Sequence, residues 1–434
     1  MEVKIVKMGI NGEGIGYIDK KPVFINDCFI DEVVKIENIQ AFKGYYKADL
    51  AEVIKASRYR IKPQCYVYNL CHSCNLMEYK YEKQLEFKRK TLVESLIKYA
   101  HIDPKLVLDV EPSHRLFYRN QCKLPLKMIK KELCSGMYQA NSNHLVYFDK
   151  CIIHEENLEK VRQRVMHVLN VHHARDYNEK IQKGYRYLVL RGFDNKFQLT
   201  LVTGKNDIDQ HIIDDLLKID EIVSIYQNIN LSKNNVDIMS NNFKHLAKEK
   251  TLKLKVNDIS LRLYPNSFFQ LNYHQACKLY NDVVDCIEDC NLMVEAYCGI
   301  GAMSLLASKK CKKIIGIENV NNAIINAKDN AKANNIDNIK FICDDAANSL
   351  VKIKEKIDYL LVDPPRTGLN DKMIKAILAN KPEHIIYVSC NPSTLAKNLN
   401  ELKDAYKINK IKPYDMFAQT CHVETVVLLT KAHK

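Results

Sequence analysis

Short alternating runs of apolar and polar residues fill the first 57 positions. VKIVKM, GIGYID, KPVFI, EVVKIENI and YKADLAEVI are predicted as strands, with Gly12, Gly14, Gly16 and Gly44 between or beside them. That is the pattern of a small β-barrel of the OB-like kind. From Met77 to about Tyr99 the spacing of Leu85, Leu92 and Leu96 predicts an amphipathic helix. Residues 115–262 are mixed, and within them YRYLVLRG and FQLTLVTG alternate like antiparallel strands. From about residue 290 six apolar strands follow: NLMVEAY, KKIIGIE, IKFIC, IDYLLVD, HIIYVS and ETVVLLT. The first five are separated by helical patterns such as NAIINAKDNAKANN and DKMIKAILAN. Such alternation predicts an α/β fold with a parallel, doubly wound sheet, whose ligands bind beyond the C-terminal strand ends. The shifts in pattern divide the chain into a barrel at 1–57, a mixed α+β central domain at 58–262 and an α/β domain at 263–434. No internal repeat or low-complexity segment interrupts them.

Composition narrows the class. Apolar content of 47% and charged content of 27% are those of a soluble globular protein. The net charge is +13, from 65 Lys and Arg against 52 Asp and Glu, and the basic residues are spread along the chain. Such an excess attracts polyphosphates such as RNA, although a lysine-rich proteome produces it too. The N-terminal MEVKIVKMGINGEG has no apolar core of a signal peptide, and no run of about 18 apolar residues occurs. The expectation is a cytoplasmic protein with no membrane partner, in a reducing compartment where its 15 cysteines do not form disulfides. They are then core residues, metal ligands or catalysts.

Strand ends carry the candidate chemistry. The first α/β strand runs into Glu295-Ala-Tyr297-Cys298-Gly299-Ile-Gly301. Its glycines permit a tight turn and close approach of a ligand, but the three-glycine dinucleotide fingerprint is incomplete. The second strand ends in Glu318, placed to accept both hydroxyls of a ribose, and the third at Asp344-Asp345, where a carboxylate or backbone group faces an adenine. This order fits a nucleoside ligand, either NAD or S-adenosylmethionine. The short turn and the missing glycine favour the latter.

The fourth strand ends in Asp363-Pro364-Pro365-Arg366-Thr367-Gly368, an acid followed by a loop that two prolines hold extended. Amino-group methyltransferases usually have an aromatic residue where Arg366 stands. The fifth strand ends in Ser389-Cys390-Asn391-Pro392, which places a thiol at the active end of the sheet. A lone cysteine at a strand end is usually a small buried hydrophobe. Beside the Asp363 loop it is a candidate nucleophile. Carbon 5 of uracil attacks a methyl sulfonium only after a thiolate has added at carbon 6, and a base must then remove the carbon-5 proton. Glu424, opening the last strand, is the candidate base, and His422 competes with it.

Cys65, Cys71 and Cys74 form C-x5-C-x2-C, with Cys151 far downstream. Four thiolates suit a tetrahedral zinc or a [4Fe–4S] cluster, and spacing alone does not choose. The C-x3-C-x2-C spacing of radical enzymes is absent.

Five strings occur in order: Phe268-Phe269-Gln270-Leu-Asn272, Tyr297-Cys-Gly-Ile-Gly301, Asp363-Pro-Pro-Arg-Thr-Gly368, Ser389-Cys-Asn-Pro-Ser-Thr394 and Gln419-Thr-Cys-His-Val-Glu424. Together they resemble the S-adenosylmethionine-dependent RNA uracil-5-methyltransferases, and most of all the bacterial 23S ribosomal RNA members. The resemblance covers nearly the whole chain. It implies a TRAM barrel at the N-terminal side and a Rossmann-like catalytic domain. Cys390 then matches the nucleophile and Glu424 the base. Gln270, Tyr297, Glu318 and Asp363 match positions that contact S-adenosylmethionine, and Phe268 an aromatic near the flipped base. The three-plus-one cysteines Cys65, Cys71, Cys74 and Cys151 resemble the [4Fe–4S] site of the ribosomal enzymes, which many transfer-RNA members lack. The partner implied is 23S rRNA, with a uridine flipped from a structured loop and a monomeric enzyme. Departures are Glu295 where Asp is usual, Ala302 where a hydroxyl is common, and Asp344 in place of a frequent Gly. The last leaves open which of Asp344 and Asp345 faces the adenine.

Three rivals remain. One is the same chemistry directed at transfer RNA. Another is a non-catalytic RNA-binding or ribosome-assembly protein, which intact Cys390, Asp363 and Glu424 oppose. A cytosine-5 methyltransferase places its cysteine after the two prolines or in a nearby Thr-Cys pair, and Arg366 occupies the first of these positions.

Overall fold

The computed structural model describes residues 1–139, 142, 144–233 and 237–432. The chain divides into two compact units, one of Met1–Tyr68, His72–Arg115 and Leu350–Lys434, the other of Asn69–Cys71 and Leu116–Ser349.

In the first unit the early alternation becomes strands Glu2–Lys4, Lys7–Met8, Gly14–Ile18, Lys21–Ile25, Val33–Phe42 and Tyr45–Lys55, joined in one six-stranded sheet. The run VKIVKM splits in two because Ile5 leaves the ladder. Its N–H donates to the Glu32 carbonyl at 2.8 Å, and its side chain joins Val3, Val23, Ile25, Val34 and Ile36 in the core. The strand Val33–Phe42 outruns that core, so its distal half is exposed. There Phe42 stacks on Tyr45 with ring centroids 4.9 Å apart, and the Lys47 ammonium lies 5.7 Å from the Phe42 ring.

The predicted helix spans Tyr81–Ala100. Leu92 and Leu96 are buried as their spacing requires, while Leu85 is half-buried. The buried face also carries a polar row of Gln84, Lys88, Thr91 and Ser95, at helical spacing. The helix packs against a second one, Pro392–Leu402. That helix starts at Asn391, whose side chain accepts the Ser393 N–H at 3.0 Å, with proline in its first turn.

Four strands of this unit lie in the order Tyr359–Val362, His384–Ser389, Glu424–Lys431, Tyr406–Tyr414. The first two pair in parallel, as the α/β pattern predicts. The last two run antiparallel, and Tyr406–Tyr414 is a strand the apolar pattern does not single out. Its sequence YKINKIKPY is rich in lysine, because its exposed positions alternate with buried ones.

In the second unit a seven-stranded sheet includes Tyr185–Phe193 paired antiparallel with Lys196–Thr203, as the alternation suggests. All nine residues of Tyr185–Phe193 are nevertheless buried. One face packs on the helix Glu156–Val171 and the other meets the strand Leu252–Val256, so the polar positions of the alternation are covered too. The same unit holds the parallel strands Ile339–Cys343, Cys311–Glu318 and Cys290–Ala296, in that order. Among the described residues no helix is long and apolar enough to cross a membrane.

Candidate active site

Cys390 follows directly on the strand His384–Ser389 and precedes the helix cap Asn391. The antiparallel ladder between His384–Ser389 and Glu424–Lys431 ends with Ser389 opposite Thr425. One further step along that ladder sets Cys390 opposite Glu424, and facing residues of such a pair hold their Cβ atoms about 4.5–5.5 Å apart. On its other side Glu424 faces Tyr414. Asp363 follows the neighbouring strand Tyr359–Val362. The candidate nucleophile, the candidate base and the acid of the Pro-Pro loop therefore meet at one end of a four-stranded run.

The electrostatics are those of a crowded acidic pocket. Burial pushes the Cys390 thiol up to about 11, the Glu424 and Asp363 carboxylates push it further, and Arg366 opposes them. Burial raises Asp363 from 3.8 to about 7. Glu424 is buried, and desolvation followed by the Asp363 charge drives its pKa well above the ordinary carboxylate range. These groups are thus poised to hold and exchange protons rather than to carry fixed charge. His422, the rival base, is exposed, with Nδ1 3.5 Å from an Arg366 nitrogen. Partial desolvation of its ring, then the Arg366 and Lys88 charges, lower its pKa. The geometry pairs Glu424 with the thiol.

The Pro-Pro loop is tied to the helix behind Cys390. The Arg366 carbonyl accepts from Asn391 Nδ2 at 3.1 Å, and Asn398 bonds both the N–H (2.9 Å) and the carbonyl (3.0 Å) of Leu369. Tyr387, inside the strand that leads to Cys390, donates its hydroxyl to the same Asn398 at 2.9 Å. One buried asparagine thus fixes the loop of Asp363 and the strand of Cys390 together.

The base is held by elements that sequence reasoning missed. Between Tyr414 and Glu424 the chain turns through Asp415–Gln419. The Lys88 ammonium, fully buried, pairs with Asp415 and donates to the Phe417 carbonyl at 3.0 Å. Tyr81 donates to the other Asp415 oxygen at 2.7 Å. Gln84 grips Gln419 twice, donating to its Oε1 at 2.8 Å and accepting its backbone N–H at 3.1 Å. The available signal was phase: Gln84 and Lys88 lie eight and four residues before Leu92, on its face of the helix.

The other candidate cofactor residues belong to the second unit. Glu318 ends its strand and accepts the backbone N–H groups of Gly299 (3.2 Å) and Val320 (2.9 Å). Tyr297 adopts φ +66°, and burial, then Asp345 and Glu318, raise its hydroxyl to about 12. Gly301, at φ +77°, packs so closely that an added Cβ would lie 2.8 Å from the Phe341 ring. Asp344 is absorbed locally, accepting the Asp345 N–H and the Ser349 hydroxyl at 2.8 Å each, whereas the Asp345 charge reaches Tyr297. Glu295, the departure from Asp, is buried and accepts the hydroxyl of Ser304 in the following helix. In the Phe-Phe-Gln string, Phe269 is buried edge-on against Phe193, while Phe268 is 69% exposed. Gln270 is buried, and its carbonyl accepts from Asn120 Nδ2 at 3.1 Å. Asn272 caps the helix Tyr273–Asp285.

Cys65 and Cys74 fall in the first unit, Cys71 and Cys151 in the second. Burial raises Cys151 to about 11. Four thiols are apt donors for zinc or iron. Among the described residues, however, no group of three or more His, Cys, Asp or Glu side chains is arranged to hold a metal ion.

Known proteins resemble this chain over most of its length. The profile of the tRNA (uracil-5-)-methyltransferase family matches residues 80–432. An uncharacterized RNA methyltransferase of Clostridium tetani is 34% identical over 98% of this chain and 95% of its own length. One from Bacillus anthracis is 35% identical over 99% and 96%. The crystal structure of the tRNA (uracil-54, C5)-methyltransferase of Pyrococcus abyssi, in complex with S-adenosyl-L-homocysteine, superposes with a TM-score of 0.80 at 26% identity, over 99% of both chains. The fold is therefore a Rossmann-like methyltransferase fold, and the chain belongs to the tRNA (uracil-5-)-methyltransferase family.

Proposed function

We propose that the protein converts a specific uridine of 23S rRNA to 5-methyluridine, with Cys390 as nucleophile and Glu424 as base. The observation that carries this is the buried adjacency of Cys390 and Glu424 at the end of one strand pair. S-adenosylmethionine supplies the methyl group, and Gln270, Tyr297, Glu318 and Asp363 are the residues assigned to hold it. Cys390 releases its proton to solvent, and its sulfur bonds to uracil carbon 6. The π electrons move into an enolate with carbanion character at carbon 5. Carbon 5 takes the methyl group, and S-adenosylhomocysteine leaves. Glu424, ionised at this stage, then removes the carbon-5 proton. The double bond re-forms, and the thiolate is expelled. Exposed Phe268 is assigned to pack against the flipped base.

We assign residues 1–57 as an RNA-binding barrel of the TRAM kind, 58–262 as the central domain and 263–434 as the catalytic domain. The exposed Phe42–Tyr45 stack with Lys47 supports the first assignment, since stacked rings beside lysines suit unpaired bases. Cys65, Cys71, Cys74 and Cys151 are assigned to a [4Fe–4S] cluster, with zinc the alternative, and the resemblance of their spacing to that of the ribosomal enzymes supports a ribosomal substrate. Iron and acid-labile sulfide in anaerobically purified protein test that assignment. The enzyme is assigned to the cytoplasm as a monomer. A second reading, transfer RNA as substrate, is favoured by the likeness to the Pyrococcus enzyme. Methyl-labelled S-adenosylmethionine with unmodified 23S rRNA or transfer RNA separates the two. Label in 5-methyluridine of 23S rRNA, lost in Cys390→Ala, is the expected result. Label only in transfer RNA retains the mechanism and overturns the substrate. No label in either overturns the enzyme reading.

A further inference from the structure

We infer that Asn75 is a positioning residue for the base, joining a turn of the six-stranded sheet to the segment that delivers Glu424. The inference rests on the assignment of Glu424 as base. Asn75 lies beside Cys74, in a stretch with no role in the chemistry proposed above. Its side chain makes one bond in each direction. Oδ1 accepts the backbone N–H of Cys421 at 3.1 Å, and Nδ2 donates to the carbonyl of Asn11 at 2.6 Å. Cys421 is three residues before Glu424.

The neighbourhood is built around this junction. The next residue, Leu76, donates its N–H to the Gln419 carbonyl at 2.9 Å, and Gln84 ties the Leu76 carbonyl (2.9 Å) to the same Gln419. Gln419 itself sits at φ +70°, a conformation a non-glycine residue keeps only when its surroundings enforce it. The sheet turn is pressed close: Gly12 is at φ +88°, and an added Cβ would lie 2.7 Å from Asn75 Nδ2 and 3.4 Å from Cys421 Cβ. Lys88 and Tyr81 fix the far end of the loop at Asp415. Between that anchor and Glu424, the Asn75 amide hydrogen-bonds the Cys421 segment to the turn of the sheet that carries the Phe42–Tyr45 stack, and Cys421 packs against the cluster of Phe29, Leu76, Tyr79 and Phe87. The sheet and the proton-abstracting carboxylate are thus joined by a side-chain amide as well as by packing.

A misplaced base slows one step selectively. Methyl transfer needs Cys390 and the donor, whereas release of the methylated adduct needs Glu424. Asn75→Ala is therefore expected to lower kcat about 10-fold, within the roughly 100-fold that a displacement of about 1 Å costs. KM for S-adenosylmethionine should stay unchanged, and a protein–RNA adduct should accumulate on denaturing gels. Asn75→Asp keeps an acceptor toward Cys421 but loses the donor to Asn11 and sets a carboxylate oxygen against that carbonyl, so it should accumulate the adduct as well. Release by Asn75→Ala at the wild-type rate overturns the inference, as does an activity loss without adduct accumulation. Should Asn75→Ala fail to fold, Gly12→Ala perturbs the same junction from the other side and is expected to trap the adduct. A folded Gly12→Ala protein with wild-type release also overturns the inference. A wild-type protein that methylates no RNA defeats the functional reading instead, so the two failures are distinguishable.

Discussion

Asp363→Asn should stabilise the protein, and only above acidic pH. An ordinary aspartate titrates near 3.8, and burial raises Asp363 to about 7. The folded protein therefore binds this proton more tightly than the unfolded chain does. Below about pH 4 both states are protonated and the carboxyl contributes no penalty. As pH rises toward 7 the unfolded chain ionises first, and folding loses about 1.4 kcal/mol for each pH unit. The gap of about three units gives ~4 kcal/mol at most. Because the side chain is only half-buried, solvent screening halves this to ~2 kcal/mol. Asparagine is neutral throughout and escapes the penalty. Urea unfolding of wild type and variant at pH 4, 5, 6, 7 and 8 should show a stability difference near zero at the lowest pH. That difference should grow to ~2 kcal/mol by pH 7 and then level off. Equal pH slopes for the two proteins between 4 and 7 would refute the burial argument. The variant should also bind S-adenosylmethionine poorly, as a carboxylate kept at such an energetic disadvantage for function would require.

Further outcomes follow from the same site. Glu424→Gln should trap the methylated RNA adduct on denaturing gels and raise the melting temperature above neutral pH, because the wild-type carboxylate is buried with its pKa raised. Arg366→Ala removes a positive charge that favours the Cys390 thiolate, so peptide-level alkylation of Cys390 at pH 8 should slow. Wild-type single-turnover adduct formation should accelerate as pH rises from 6 to 9, since Cys390 must lose a proton that its surroundings retain. Lys88→Ala leaves Asp415 buried without its cation and should destabilise by ~3–5 kcal/mol in urea titration. Replacing the pair together as Lys88→Met with Asp415→Leu should recover much of that loss.

The parallel strands were legible because burial on both faces writes continuous apolar runs such as LLV and IIYV into the chain. Their C-terminal ends located Asp363 and Cys390, and Glu424 followed from the chemistry that a C6 adduct demands. The strand Tyr406–Tyr414 was hidden by its lysines, which occupy exposed or half-buried positions of an alternating pattern. The support of Glu424 was not legible for a different reason. Lys88 and Gln84 are polar residues that ordinarily face water. The partners that make their burial favourable include Asp415 and Gln419, more than 300 residues away. The likeness to Asp at position 295 was sequence-visible, but the compensation was not: the longer Glu295 meets Ser304 on the next helix.

The strand that carries Glu424 is inserted between His384–Ser389 and Tyr406–Tyr414, although it follows both in the chain. A ribosome therefore delivers Cys390 before Glu424, and the sheet has a missing member until the second arrives. The segment that supplies Glu424 also supplies the central ladder of the four-stranded run, so a chain that stops short of it lacks the carboxylate and, with it, the strand on which His384–Ser389 pairs.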